Sequence, residues 1–209
     1  MGTCPGYMGK DLKELFARLD AGASHHLCFQ CYSPQVRAIL EAGRELYICE
    51  ACSYKGGRQI MISPELRYDF TPEGLWRHFS VGGVIERKGR YLLFHRRKYP
   101  FQYTLPAGHW DRQEADPREA LVREVLEETG LRVITAKLLY REDVPGDACR
   151  RGSDVHHWHF YQCLCEGEPR VDGDEGDLIG WYTPEQIQPL ALTVPTRHFL
   201  TKLGVRKSP

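Results

Sequence analysis

Residues 123–131 read REVLEETGL, and within them Glu124, Glu127 and Glu128 stand at positions i, i+3 and i+4. On a helix that spacing places all three carboxylates on one face. The run closes at Gly130, so the acids crowd the helix end that already carries about half a negative charge from unpaired carbonyls. Repulsion and the helix dipole both disfavour such a cluster unless a cation joins it. Hard carboxylate oxygens suit Mg2+ or Mn2+, ions that typically link carboxylates to substrate phosphates. A solvated acidic helix face has the same composition, and the helix alone leaves both readings open.

A second group of chemically capable residues lies near the N-terminus. Cys28, Cys31, Cys49 and Cys52 form two C-x2-C pairs separated by 17 residues. Each such turn can aim two thiolates at one point, and four thiolates complete a tetrahedral shell, so the spacing predicts a structural Zn2+ site. His25 and His26 flank it without being needed as ligands. Cys4, Cys149, Cys163 and Cys165 share no such spacing, and Cys163 and Cys165 alternate as packed thiols in a strand would.

The elements that must position these groups are partly written in the local pattern. Leu12, Leu15, Phe16 and Leu19 recur at helical spacing before Gly22. Between the cysteine pairs, SPQVRAILEAG allows a short helix capped by Ser33, or a strand turning at Ala42-Gly43 into RELYICE. Leu46, Tyr47 and Ile48 favour the hairpin, with RQIMIS (58–63) as its third strand. Residues 24–64 therefore resemble a zinc ribbon, within an N-terminal module over residues 1–70. HFSVGGVIE, a turn at Lys88-Gly89, and RYLLFHRR predict another hairpin, with YTLPAGHWD as a further strand. The acidic helix has Asp116 as N-cap, Pro117 at N1, Glu119 at the capping-box position and Gly130 just past its end. Strands over RVITAKLLYRED and HHWHFYQCLCEG, a short helix opened by Thr183-Pro184-Glu185, and a helix over PTRHFLTKLG complete residues 71–209.

Gly108, Glu114, Arg123, Glu124, Val125, Glu127, Glu128, Gly130 and Leu131 together resemble the Nudix box, G-x5-E-x7-R-E-U-x-E-E-x-G-U with U aliphatic. Eight residues rather than seven separate Glu114 from Arg123. The resemblance covers about residues 76–205. It implies an α/β fold: an α/β/α sandwich around a mixed sheet, preceded here by the ribbon. It also implies a hydrolase that cleaves a diphosphate linked to another moiety with Mg2+ or Mn2+. By motif position Glu124, Glu127 and Glu128 are then the metal-binding and catalytic set. Glu124 takes the proton of the attacking water, the Ala107 carbonyl is a backbone ligand, and Arg123 orients the loop, with Glu114 as its partner if the longer loop allows. A later acid often completes such sites, and Glu175 fits that place.

Other residues carry weaker signals. Arg96 and Arg97 end a strand where fixed positive charge could meet phosphate, or simply face water. In HHWHFY, alternation puts His156, Trp158 and Phe160 on one face, and Trp158 could stack on a substrate ring or pack in the core. The substrate expected is a small nucleoside diphosphate derivative. A ribbon joined to this domain also resembles NADH pyrophosphatases, but the S-Q-P-W-P-F-P-type motif of those enzymes is absent. A non-catalytic ligand sensor is the competing class.

Twenty-eight basic and 28 acidic residues, 8 of each within residues 1–70, argue against strong non-specific nucleic-acid binding. The ribbon is the one place left for nucleic-acid or protein contacts, a homodimer contact among them. No apolar run is long enough for a transmembrane helix, and MGTCPGYMGKDLKELF lacks the apolar stretch of a secretory signal. The expectation is a cytoplasmic protein in a reducing compartment, where eight cysteines do not form a disulfide framework.

Overall fold

A computed structural model describes residues 9–171, 173 and 176–207, with side chains from residue 12 onward. Helix α1 (Gly9–Ala17) leads into the short strand β1 (His25–Leu27) and the first cysteine pair. Strands β2 (Val36–Glu41) and β3 (Arg44–Cys49) form the expected hairpin, with Ala42 and Gly43 both at positive φ in the turn. The third strand differs from expectation. It is β4 (Lys55–Gly56) that pairs with β3, whereas β5 (Ile60–Ile62) pairs with β1 in a separate two-stranded sheet. The apolar run IMI suits either partner. What decides is burial: Ile60 and Ile62 join Leu12, Leu27, Leu66 and Trp76 in one apolar cluster away from the hairpin.

That cluster fastens the N-terminal module to the rest of the molecule. Phe16 packs edge-on to Trp76 at 4.9 Å and to Tyr68 at 5.6 Å. Tyr68 belongs to β6 (Tyr68–Phe70), which the sequence reading placed in the N-terminal module. It pairs instead with β7 (Trp76–Arg87), the central strand of the large sheet. One edge of β7 is parallel to β12 (Val155–Glu166) over nine residue pairs. Its other edge meets, in succession, β6, β10 (Ala107–His109) and the start of β8 (Arg90–Arg96). The predicted strand YTLPAGHWD is thus two short strands, because Leu105-Pro106 carries the chain from a pairing with β8 through β9 (Tyr103–Thr104) to one with β7. The outer strands are β11 (Arg132–Pro145) beside β12 and β13 (Gly176–Tyr182) beside β8.

Helices cover both faces, as the α/β class requires. On one face α2 (Pro117–Thr129) buries Ala120, Leu121 and Val125 against Val81, Ile85, Leu92 and Cys163. On the other, α4 (Val194–Lys202) and the short α3 (Pro184–Ile187) bury Phe199, Leu200 and Ile187 against Val84, Leu93, Trp158 and Phe160. The Phe160 and Phe199 rings stack at 4.1 Å. The alternation read in HHWHFY is visible here: Trp158 and Phe160 enter one core and Tyr161 the other. A side chain at Gly83 would come within 2.8 Å of Cys163 Sγ, so the helix α2 face of the sheet requires glycine at that point. Among the described residues, no helix is long and apolar enough to cross a membrane.

Candidate active site and cysteine centre

Helix α2 is capped by Asp116 and Gly130 as expected, but Glu119 bonds the Ala115 amide rather than that of Asp116, so the reciprocal capping box is not made. Asp116 Oδ1 accepts from Arg118 N at 2.7 Å. Gly130 at φ +66° returns its N–H to the Leu126 carbonyl. The C-terminal half of the helix faces β10 and presents the acids there.

Arg123 is how the chain tolerates them. Its guanidinium donates to Glu114 and Glu124 at 2.7 Å each, to Glu127 at 3.2 Å and to the His109 carbonyl at 3.0 Å. Glu114 reaches Arg123 because the extra residue is absorbed in the 111–116 loop, where Asp111 and Glu114 bond each other's backbone amides. Glu128 is buried and accepts from Ala107 N at 2.7 Å. Glu124 is 14% exposed and Glu127 58%. Burial pushes the Glu124 carboxyl up to about 7; Arg123 pulls the other way, while Glu127 and Asp111 add to the rise.

The acids line a cleft of about 440 Å³ together with Ala107, Arg96, Tyr99, Asp111 and Arg151. Asp111 is among the residues that the motif did not point to; burial raises its carboxyl, against Arg151 and Arg123. Arg96 lines the cleft, whereas Arg97 turns to the Gly173 carbonyl and to Asp177. Trp158 is among the lining residues of the cleft, but it is buried, its ring packs on Phe199 and its Nε1 donates to Asp147. Glu175 lies outside the described residues. Five carboxylates (Asp111, Glu124, Glu127, Glu128 and Asp147) and four arginines line the cleft, and the hard oxygen donors of Glu124, Glu127 and Glu128 fit a divalent ion of the Mg2+ type.

Gly108 makes the arrangement sterically feasible. A Cβ there would overlap the Glu124 carboxyl group. Gly108→Ala should therefore displace Glu124 while leaving both cores intact. The expected result is a fall in kcat/KM of at least about 10-fold, or 1.4 kcal/mol in barrier, with an unchanged circular dichroism spectrum. Wild-type kinetics in that variant would show that Glu124 has room elsewhere.

The four N-terminal thiols also meet. Cys28 and Cys52 sulfurs lie 3.6 Å apart and those of Cys31 and Cys49 3.7 Å apart, with all four within 4.8 Å of one another. A tetrahedron with 2.3 Å metal–sulfur bonds has edges of about 3.8 Å. Both knuckles repeat one turn: Tyr32 and Ser53 each follow a cysteine at positive φ and donate to the carbonyls of Cys28 and Cys49. His25 and His26 bond Asp20 and Gln59 instead.

An α/β sandwich with an acidic, arginine-braced cleft is the class that fold and site define. A family model described as NUDIX domain matches residues 76–203, and the chain belongs to that family. A MutT-like protein of Streptomyces ambofaciens is 29% identical over 110 residues, 52% of this chain and 65% of that protein's length, so the match spans just under two thirds of that relative. The crystal structure of a MutT NUDIX hydrolase from Burkholderia pseudomallei shares 30% identity and a TM-score of 0.54, covering 61% of this chain and 98% of that one. The NUDIX domain of Shewanella oneidensis NrtR, solved with ADP ribose, has the same fold at 14% identity, with a TM-score of 0.53 over 65% of this chain and 92% of that one.

Proposed function

We propose that the protein hydrolyses the diphosphate bond of a nucleoside diphosphate linked to another moiety. The observation that carries the reading is that Glu124, Glu127 and Glu128 all line one cleft, the first two bonded to Arg123 and the third to the Ala107 amide. Glu124, Glu127, Glu128 and the Ala107 carbonyl would hold Mg2+ or Mn2+. When bound, that cation neutralises phosphate charge and acidifies water. Glu124, poised near neutrality in its buried place, accepts the proton of the attacking water. Arg123 keeps that carboxylate aimed into the cleft, with Glu114 holding the guanidinium from its far side. Arg96 and Arg151 offer fixed positive charge to the phosphates along the cleft wall. The four N-terminal cysteines hold a structural Zn2+, which lets a module with little core of its own keep its fold.

The test is incubation of the purified full chain with Mg2+ and a panel of diphosphate compounds: ADP ribose, dinucleotides, nucleotide sugars, nucleoside triphosphates and dinucleoside polyphosphates. Products are separated by chromatography beside a Glu127→Gln control. Cleavage at a diphosphate bond by the wild type and little by the variant is expected. Binding of these compounds without cleavage would instead make the domain a ligand sensor.

A further inference from the structure

Three histidines and a cysteine that share no sequence spacing come together in the wall of the cleft, which His109, Cys149 and His156 line. His156 on β12 is paired with His78 on β7, and His109 on β10 is paired with Ser80, two residues further along β7. Period-two alternation puts the three rings on the same face of the sheet. The loop between β11 and β12 sets Cys149 over them. One donor atom from each of the four lies within 4.8 Å of every other. We propose that His78, His109, Cys149 and His156 form a second metal site, a closed shell of three imidazole nitrogens and one thiolate sulfur for Zn2+ that ties the 147–153 loop to the sheet.

The distances fit. His78 Nδ1 is 3.2 Å from His109 Nε2 and 3.7 Å from Cys149 Sγ. With zinc–nitrogen bonds near 2.05 Å and a zinc–sulfur bond of 2.3 Å, tetrahedral geometry requires about 3.3 and 3.6 Å. A thiol and one histidine would make an ordinary reactive pair; three imidazoles around one thiol exceed that need. His78 and His156 are buried, as the ligands of a closed structural site are. An outer carboxylate is also in place. Asp147 Oδ2 lies 3.1 Å from His156 Nδ1, a charge contact rather than an aligned hydrogen bond, and accepts from Trp158 Nε1 at 2.9 Å. The sulfur and nitrogen donors exclude Mg2+ and select a softer ion, and four protein donors leave no open position, so the role is structural.

The loop so tied has two duties. Asp147, Ala148 and Arg151 line the cleft. The backbone of the same loop accepts from Arg58, Gln59 and Met61 of the N-terminal module. The site thereby fixes both the cleft wall and the seam between the two parts of the chain. His109 completes the link, since its carbonyl receives Arg123.

Metal analysis of the full chain, purified without chelator and dialysed, tests this directly. Two zinc ions per chain are expected, one for each donor group, falling to one in Cys149→Ser and to one in Cys49→Ser. X-ray absorption at the zinc edge needs no variant, and the wild type should show a mixed nitrogen and sulfur shell. One zinc with sulfur neighbours alone would overturn this proposal and leave the ribbon reading standing. One zinc in a nitrogen-rich shell would support it and overturn the ribbon reading. A Cys149→Ser protein that keeps two zinc ions would sink it as well.

Discussion

Glu124→Gln is expected to lower diphosphate hydrolysis by about 10²–10⁴-fold, the range that removal of a general base produces, without weakening the metal-free fold. The side chain keeps its shape and loses only its charge. That charge is poorly placed for stability: burial raises its pKa to about 7 despite Arg123, with Glu127 and Asp111 adding to the rise. An acid whose folded pKa exceeds its unfolded value supports the fold only below the unfolded value. Its contribution is lost as pH rises toward 7. Glutamine removes this opposition at neutral pH, and Arg123 still holds Glu114, Glu127 and the His109 carbonyl. The metal-free variant should melt at or above the wild-type temperature, while Mg2+ should raise the melting temperature of the wild type more than that of the variant. Kinetics and thermal melts with and without Mg2+ check both halves. Undiminished turnover would remove Glu124 from the chemistry, and a melting temperature well below wild type would make its role structural.

The acidic end of helix α2 is legible in the sequence. Asp116, Pro117 and Gly130 define helix α2 by short-range rules, and the acids at its end violate one of those rules, which is where function tends to lie. The meeting of the cysteine pairs was legible for a similar reason, since two thiols three residues apart need only a tight turn to point the same way. Less was visible wherever the partner is distant. Whether Glu114 reaches Arg123 depended on how a loop absorbs one residue. Ile60–Ile62 pairs with His25–Leu27 rather than with the hairpin because of burial against Leu12 and Trp76, not because of its own pattern. Cys149 carried no signal, because its companions come from three strands whose register only the folded sheet establishes. Arg96 and Arg97 show the limit at a strand end: adjacent residues face opposite ways, so one lines the cleft and the other bonds Gly173.

Cys49→Ser should open the N-terminal ribbon while the NUDIX domain stays folded. Strand β2 has no fully buried residue, and β3 buries only Tyr47 and Cys49. A three-stranded sheet with so little apolar surface cannot offset its chain entropy, whereas a structural zinc contributes on the order of 10–16 kcal/mol in comparable small modules. The neighbouring β1 and β5 differ, because Leu27, Ile60 and Ile62 share a core with Leu12 and Trp76 that contains no metal ligand. Loss of the thiolate should therefore be felt locally. Hydrogen exchange would show β2 and β3 amides losing protection, with those of β7, β8 and β12 retained. Zinc content should fall together with that protection. The seam would loosen too, since Arg150 reaches across it to Glu45 and the Tyr47 hydroxyl. Full protection of β2 and β3 in a zinc-depleted variant would mean that docking against the NUDIX domain, rather than metal, holds the ribbon. Collapse of protection throughout β7 and β12 would mean that the two parts fold as one unit.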